Sequence, residues 1–390
     1  MIRRVEELEL EGKRVFVRVD FNVPIVQGRI AETHRIDSAL PTLKLIAAKA
    51  KKLLIASHLG RPGGKKDPKS SLAPLREYLE RSLGQPVTLA PDCIGAEVQA
   101  LVTEPHHKMI LLENLRFHKE EEENNPAFSQ ALASLADVYV NDAFGTAHRA
   151  HASTAGMVRF FKAKGAGLLL QKELDYLGRA LSNPEKPFVA ILGGAKVSDK
   201  IGVLRNLLAK VSALLIGGGM AYTFLKAQGF PTGKSLVEED RVSVANEIMT
   251  RAKSLSVSIL LPVDHVAAKE IKEKPITTES SIPPDYMGLD IGPKTVSQFT
   301  QEILAAKMVL WNGPVGLFEE EPFSGGTRSI AEALAKSRAV SIVAGGETVA
   351  AVRQAGVEER ITHLSTGGGA TLEFLEGRKL PGIEALEEEG

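Results

Sequence analysis

Short apolar runs alternate with stretches of helical periodicity along almost the whole chain, which has 390 residues. In the second half, five apolar runs each end in glycines or in a Gly-Pro turn. These runs begin at Phe188, Ala213, Met308, Val340 and Thr362. After most of them the pattern becomes helical. It therefore predicts buried strands that each lead through a glycine turn into a helix.

The first half shows the same alternation, with strands predicted at residues 14–19, 52–57, 108–112 and 136–140. Helices of about 14 residues between strands indicate parallel sheets with right-handed crossovers. The predicted fold class is α/β. We expect two Rossmann-like domains, each a parallel β-sheet flanked by helices, joined by a connecting helix with a cleft between them.

The chain length indicates two domains, because one hydrophobic core rarely serves so many residues. We predict an N-terminal domain at residues 1–167 and a connecting helix at 168–185. A C-terminal domain follows at 186–371, and we expect the segment 372–390 to pack back on the first domain.

Composition narrows the class of partner. Forty-eight Lys and Arg balance 48 Asp and Glu, so no overall field favours nucleic acid or a membrane surface. Cys93 is the single cysteine, which excludes a disulfide framework, and we expect no Cys/His metal cluster. No run of ~18 apolar residues and no signal peptide is present, so we expect a cytoplasmic protein. The acidic run Glu120–Glu123 predicts solvated surface.

The glycine turns of the second half are typical of phosphate sites. Glycine lets the main chain approach a ligand, and a helix N-terminus offers unpaired N–H groups and partial positive charge. Several such turns on one sheet indicate a nucleotide. Lys196 and Lys200 would stand one helical turn apart there if Ser198 or Asp199 caps a helix that continues to Val211.

The strand ends of the first half carry polar side chains instead. These are Asp20, Asn22, Arg35, His58, Arg61, Arg116, Arg149 and His151. Ligands of open parallel sheets lie beyond the carboxyl ends of the strands, and guanidinium groups suit carboxylate and phosphate oxygens. One arginine alone is better explained by a surface ion pair. Four after successive strands predict a small substrate with several negative charges.

Candidate polar groups also follow the later strands. Asn312 and Glu319 flank a Gly-Pro turn, and Glu347 with Thr348 opens a helix. A carboxylate at that position is either a Mg²⁺ ligand or a first-turn acid stabilised by the helix dipole. A polyanion site and a nucleotide site together indicate phosphoryl transfer, which needs positioning and charge neutralisation.

Eight ordered motifs resemble those of the phosphoglycerate kinase family. They occupy residues 18–24, 57–62, 113–117, 141–151, 192–197, 217–221, 311–314 and 365–370. The resemblance implies reversible transfer of phosphate from 1,3-bisphosphoglycerate to ADP, giving 3-phosphoglycerate and ATP, in glycolysis and in reverse. It also implies Mg²⁺ bound with the nucleotide, a monomer, and in-line transfer after hinge closure of the two domains.

The same resemblance assigns roles to individual residues. The phosphoglycerate site would comprise Asp20, Phe21, Asn22, Arg35, His58, Leu59, Gly60, Arg61, Arg116 and Arg149. The nucleotide site would comprise Gly193, Gly194, Ala195, Lys196, Lys200, Gly217, Gly218, Ile291, Gly292, Asn312, Pro314, Glu319, Gly345, Gly346, Glu347 and Thr348. Arg35 and Lys200 would contact the transferring group, and the N–H groups at Gly345 and Gly368 would stabilise the transition state.

One position departs from the family pattern, because Glu347 stands where an aspartate is usual. Its extra methylene shifts the carboxylate by roughly one bond length, and it is the expected Mg²⁺ ligand. Two other functions stay open. One is a nucleotide-dependent regulatory protein without turnover, and the other is a kinase that phosphorylates acetate or an amino-acid carboxylate.

Overall fold

The structure, a computed structural model, describes residues 1–387, and the chain forms two compact units. The first unit is Met1–Leu174 together with the segment that begins at Lys379, and the second is Asp175–Arg378. The boundary falls inside the helix predicted to connect the domains. Residues 388–390 of the predicted C-terminal segment lie outside the described part of the chain.

Strands and helices alternate through both units. The strands are β1 (Arg14–Val19), β2 (Ile25–Val26), β3 (Arg29–Ile30), β4 (Lys52–Ala56), β5 (Thr88–Leu89), β6 (Met109–Leu111), β7 (Val138–Asp142), β8 (Ala163–Ala166), β9 (Phe188–Leu192), β10 (Ala213–Ile216), β11 (Ser258–Leu260), β12 (His265–Ala268), β13 (Ile276–Thr278), β14 (Met287–Ile291), β15 (Met308–Asn312), β16 (Val340–Ala344) and β17 (His363–Leu364). The helices are α1 (His34–Lys49), α2 (Ala73–Leu83), α3 (Ala96–Thr103), α4 (Lys119–Glu122), α5 (Pro126–Ala133), α6 (Leu168–Ser182), α7 (Ile201–Leu207), α8 (Met220–Ala227), α9 (Val242–Ser254), α10 (Pro293–Ala305), α11 (Gly325–Lys336), α12 (Gly346–Gln354), α13 (Gly369–Leu375) and α14 (Pro381–Glu384). Short 3-10 helices lie at Val5–Glu7, Pro68–Ser70, Leu115–Phe117, Phe144–Thr146, Gly156–Phe160, Glu239–Arg241, Glu321–Phe323 and Glu358–Arg360.

Each unit is built on one six-stranded parallel sheet. The first has the order β5-β6-β4-β1-β7-β8, and the second has the order β11-β10-β9-β15-β16-β17. Two smaller antiparallel sheets, β13-β12-β14 and β2-β3, accompany them. The predicted fold class, α/β with two parallel sheets flanked by helices, is confirmed.

Apolar runs form the central strands because helices cover both faces of each sheet. All five residues of β4, β9 and β15 are buried, and so are the last five residues of β1. Helix α1 packs its apolar stripe, which includes Ile36, Leu43 and Ile46, into the core of the first unit. Trp311 of β15 is fully buried in the core of the second. No helix in residues 1–387 is both long and apolar enough to cross a membrane.

The loops after β9 and β15 touch main chain to main chain, and glycine makes this possible. A Cβ on Gly193 would lie 2.1 Å from the carbonyl oxygen of Pro314, and one on Gly313 would lie 2.2 Å from that of Gly193. The Gly193 N–H donates to the Asn312 carbonyl at 3.0 Å, and the Gly194 N–H donates to that of Pro314 at 2.9 Å. The contact between these two loops therefore leaves no room for a side chain at Gly193 or Gly313.

This contact generates a stability prediction. Gly193→Ala should lower the free energy of unfolding by about 2–3 kcal/mol, because the new methyl group overlaps main-chain oxygens that cannot move independently. Gly178→Ala is the matched control, since a Cβ there, within α6, meets nothing within 4 Å. It should raise stability by about 0.5–1 kcal/mol through helix propensity. Urea unfolding followed by circular dichroism measures both, and equal effects would contradict the account.

Candidate active site

The order of the first sheet brings three polar strand ends to one edge. Strand β1 lies between β4 and β7. The chain passes from β1 to β4 on one side and later crosses to β7 on the other, and a change of direction of this kind opens a crevice at the carboxyl ends of the strands. Asp20 follows β1, His58 follows β4, and Asn141 lies near the end of β7. The predicted convergence of these strand ends is therefore present in the fold.

Arg35 is held against the loop after β1. It lies in the first turn of α1, and its Nη1 donates to Asp20 Oδ2 at 3.1 Å and to the Asn22 carbonyl at 3.2 Å. Asp20 also accepts the Asn22 N–H at 3.3 Å, so this carboxylate closes a turn as well as pairing with arginine. The Arg35 side chain stays about one-third exposed, with 34% of its surface accessible, so it can still reach a ligand.

Arg116 lies deeper, with 2% of its surface exposed. Its Nη1 donates to the Gly60 carbonyl at 2.8 Å, and the Gly60 N–H donates to Asn22 Oδ1 at 2.9 Å. Gly60 has φ +64°, a conformation that favours glycine. Nη2 of Arg116 is buried and has no acceptor among the described residues, and burial lowers the pKa of this guanidinium. A buried cation with a spare donor is suited to an anionic ligand.

Positive groups at this edge act on one another. Burial lowers the pKa of His58 well below its ordinary 6.5, and Arg18, Arg116, His151 and Arg35 lower it further. The pKa of His151 falls to about 3, first through burial and then through Arg18, Arg116 and Arg149. Both rings are therefore neutral at pH 7. Arg61 is exposed, and Arg149 is half-buried with its Nε 3.2 Å from His148 Nε2.

In the second unit, three glycine loops enclose a pocket of about 340 Å³. The sheet order places β9 between β10 and β15, so these loops again meet where the chain direction reverses. The lining includes the predicted residues Gly194, Ala195, Gly218, Pro314, Glu319 and Glu347. It also includes Gly219, Leu236, Met287, Gly288, Leu289, Gly316 and Leu317. A mostly apolar cavity rimmed by glycine and two carboxylates suits a nucleoside.

Lys200 is fixed beside this pocket by Asn312. The lysine Nζ lies in hydrogen-bond contact with Asn312 Oδ1, and Asn312 Nδ2 donates to the Ala344 carbonyl at 3.0 Å. Burial lowers the pKa of Lys200 to about 8, while Asp199 and Glu347 act in the opposite direction. An ammonium group held partly out of water responds strongly to a neighbouring phosphate.

Helix α12 begins at Gly346, directly after β16. Gly345 precedes it at φ 94° and provides no side-chain cap, so the first N–H groups of the helix lack that partner. Thr348 is buried and its Oγ1 accepts the Gly313 N–H at 2.7 Å, which ties this helix start to the loop after β15. Glu347 is exposed in the first turn. Gly368 likewise precedes α13, at φ 53°.

Some predicted residues lie elsewhere. Ile291 and Gly292 do not line the pocket, and a Cβ on Gly292 would overlap the Asp264 carboxylate at 2.3 Å. Lys196 is exposed in the loop before α7. Gly193 and Gly217 do not line the pocket, and each instead packs closely against the loop after β15. A Cβ on Gly217 would lie 2.6 Å from Val315 Cβ.

The predicted cap of the lysine helix is wrong. Helix α7 begins at Ile201 with Lys200 as its flanking residue, and neither Ser198 nor Asp199 caps it. Ser198 instead donates through its N–H and its hydroxyl to Glu238, at 3.0 and 2.6 Å. Lys196 and Lys200 therefore do not stand one turn apart on a helix. Helix α7 also ends at Leu207, before the predicted end at Val211.

Two further expectations need correction. Glu121, from the acidic run assigned to solvated surface, has no exposed area.

A group of potential metal ligands also exists within residues 1–387, because atoms of Asp92, Cys93 and His118 all lie within 4.8 Å of one another. Asp92 is already paired there, at 2.8 Å from Lys66 Nζ and 2.6 Å from His118 Nε2.

Sequence reasoning also missed residues that the structure brings to the sites. Arg18 has 1% exposure and lies beside His58, and its signal in the sequence was a charge flanked by apolar residues in the strand β1. Leu236, Met287 and Leu317 come to the pocket from loops and a short edge strand. Because they are apolar, the sequence alone does not distinguish them from residues of the hydrophobic core.

Comparisons with known proteins agree with this geometry. A family model described as Phosphoglycerate kinase matches residues 5–378. The chain is 58% identical to the phosphoglycerate kinase of Anaeromyxobacter sp. (strain K), over 99% of this chain and 100% of that protein. It is 54% identical to that of Dictyoglomus turgidum, over 97% of each chain.

Solved structures give the same answer. The phosphoglycerate kinase from Coxiella burnetii superposes with a TM-score of 0.90 at 44% identity, covering 99% of both chains. That from Pyrococcus horikoshii OT3 gives 0.84 at 32% identity, covering 99% of this chain and 98% of the other. With a family model spanning nearly the whole chain and full-length relatives above half identity, this chain belongs to the phosphoglycerate kinase family of enzymes.

Proposed function

We propose that this enzyme transfers a phosphoryl group reversibly between 1,3-bisphosphoglycerate and ADP, giving 3-phosphoglycerate and ATP. The observation that carries the proposal is the arginine edge of the first unit, where Arg116 is buried with a spare donor. A polyanionic acid such as phosphoglycerate offsets that charge. Membership in the phosphoglycerate kinase family supports the same reaction.

On the phosphoglycerate side, each residue type has a distinct task. Arg61, Arg116 and Arg149 would bind the carboxylate and phosphate oxygens through charge-assisted hydrogen bonds. Asp20 and Asn22 would hold the substrate hydroxyl group and the loops around it. Arg35 would contact the transferring phosphoryl group. The Asp20–Arg35 ion pair at 3.1 Å supports this role, because it orients the guanidinium before substrate binds.

On the nucleotide side, the glycine-lined pocket would hold the nucleoside, with Glu319 at the ribose. Lys200 and the N–H groups at Gly345 and Gly346 would neutralise the phosphates, with Gly368 contributing from the start of α13. Glu347 is the proposed Mg²⁺ ligand, because the ion typically takes one or two carboxylates plus substrate phosphates. Bound Mg²⁺ would supply further neutralisation of nucleotide charge.

The transfer itself requires no strong base. In the ATP-forming direction, an ionised ADP oxygen forms a bond to the acyl phosphorus as the bond from phosphorus to the carboxyl oxygen breaks. The leaving group departs as the 3-phosphoglycerate carboxylate, so no proton moves. The neutral histidines at the arginine edge are compatible with this chemistry, because their tasks are donation and positioning.

Further features belong to the proposal. Water competes with the acceptor for a phosphoryl group, so we expect a closed state, reached by hinge bending, in which the reacting groups are in line and shielded. We also expect a monomer in the cytoplasm, as is typical of glycolytic enzymes of this family.

Acceptor specificity tests the proposed reaction. With Mg-ATP, we expect rapid ADP formation with 3-phosphoglycerate and background rates with acetate or aspartate, because only the first matches the charge of the arginine edge. A coupled assay of ADP release measures all three. Equal rates with acetate would favour a kinase that phosphorylates acetate or an amino-acid carboxylate. Tight nucleotide binding without turnover would favour a regulatory protein.

Arg35 and Lys200 test the catalytic assignment. Arg35→Ala and Lys200→Ala should each lower kcat by about 10²–10³-fold, because each removes positive charge that acts on the transition state. Circular dichroism should show retained folds. Arg76→Ala and Lys336→Ala are matched controls at exposed positions and should keep wild-type kcat. Wild-type turnover in either test variant would refute that residue's role.

Lys200 also predicts a pH dependence. Its pKa of about 8 means that the lysine carries its charge below that pH and loses it above. Since kcat/KM reports the free enzyme, kcat/KM for the nucleotide should fall above about pH 8. Lys200→Arg should move the fall to higher pH, because guanidinium stays protonated. A pH profile identical in both enzymes would show that another group controls it.

A further inference from the structure

A chain of buried polar side chains runs beneath the arginine edge of the first unit, from Glu121 to His58. Glu121 and Ser153 have no exposed area, Arg18 has 1%, and His58 has 3%. Burying two opposite charges this deeply is unfavourable unless hydrogen bonds compensate for the lost water. The hydrogen bonds that compensate here determine how each of these groups is oriented.

Donor counting fixes the direction of the hydrogen bond between Arg18 and Ser153. A guanidinium donates only, so Ser153 Oγ must accept from Arg18 Nε, 2.8 Å away. The Ser153 hydroxyl donates to Glu121 Oε1 at 2.5 Å, and the Ser153 N–H donates to Oε2 at 2.9 Å. Both carboxylate oxygens of Glu121 act as acceptors, as they would in an ionised carboxylate. Burial raises the pKa of Glu121, while Arg18 and the hydrogen bonds from Ser153 act in the opposite direction and favour the charged form. Tyr139 donates to the Ser153 carbonyl at 2.8 Å and holds the backbone.

The same counting fixes the tautomer of His58. Arg18 Nη2 lies 3.2 Å from His58 Nδ1, and because the guanidinium only donates, Nδ1 must accept. A neutral ring then carries its proton on Nε2. No described residue accepts from that atom. Burial and the surrounding arginines depress the pKa of this ring, which agrees with a neutral imidazole.

We infer that Glu121 is a positioning residue for the substrate edge: acting through Ser153 and Arg18, it holds His58 as a neutral imidazole that only donates, from Nε2, to a substrate oxygen. In this state His58 binds an anion and cannot act as a base. The identity of the substrate as phosphoglycerate rests on the proposed function, whereas the tautomer does not.

Nitrogen-15 NMR of the histidine side chains tests this at pH 7. In the wild-type enzyme, His58, identified by the signals lost in His58→Gln, should show one Nε2-protonated tautomer. In Glu121→Gln the amide has one acceptor oxygen, whereas the carboxylate has two. Either the N–H or the hydroxyl group of Ser153 therefore loses its acceptor. His58 should then populate both tautomers, and KM for 3-phosphoglycerate should rise about tenfold, as expected for one perturbed hydrogen bond.

Two comparisons separate positioning from a general loss of structure. KM for Mg-ATP should be unchanged in Glu121→Gln, and Glu123→Gln, the same charge change at an exposed position after α4, should alter neither readout. If Glu121→Gln fails to fold, Ser153→Ala interrupts the same connection and should mix the tautomers.

Some results would contradict the role inferred for Glu121. A wild-type His58 protonated on Nδ1, or on both nitrogens at pH 7, would overturn the inference. So would an unchanged tautomer and an unchanged KM for 3-phosphoglycerate in a folded Glu121→Gln enzyme. An enzyme inactive with 3-phosphoglycerate would count against the proposed function alone, because the NMR measurement needs no turnover.

Discussion

Excess positive charge at the carboxyl edge of the first sheet is the constraint on which the rest depends. Four arginines act on one another and on the histidines there: Arg18, Arg35, Arg116 and Arg149. Within the described residues, the carboxylates set against them are Asp20, Glu121 and Glu122. Folding therefore leaves positive charge that water only partly reaches, and a small polyanion relieves it. Burial, and after it these same arginines, lowers the pKa of His58 and His151, so both rings are neutral.

In the proposed function, the second unit would bind phosphate in a different way. The positive charge would come mainly from main-chain N–H groups at helix starts, with Lys200 as a side-chain cation held by Asn312. Glycines make this possible because the loops after β9 and β15 approach closer than any Cβ allows. Main-chain hydrogen bonds fix these loops, so their N–H groups would be oriented before a ligand binds, which is the condition for electrostatic stabilisation of a transition state.

The parts that the sequence predicted are those with a local signal. Apolar runs bounded by glycine predicted the strands and the glycine loops of the second unit, and charged residues after the first-half strands predicted the polar edge of the first. The rest depends on tertiary contacts. Glu121 looks like its three acidic neighbours, and only the packing of α4 against Ser153 distinguishes it. Ser198 appeared suitable as a helix cap, but Glu238, 40 residues away, accepts its hydrogen bonds. Apolar pocket residues such as Leu236 and Met287 resemble any core position.

A crystal structure of the enzyme with 3-phosphoglycerate and Mg-ADP tests the central claim most directly. The account predicts 3-phosphoglycerate on Arg35, Arg116 and Arg149 in the first unit, with an oxygen accepting from Nη2 of Arg116. It predicts ADP in the glycine-lined pocket of the second unit, with its phosphates near Lys200 and Gly346. Phosphoglycerate bound away from the arginine edge, or both ligands bound within one unit, would contradict it.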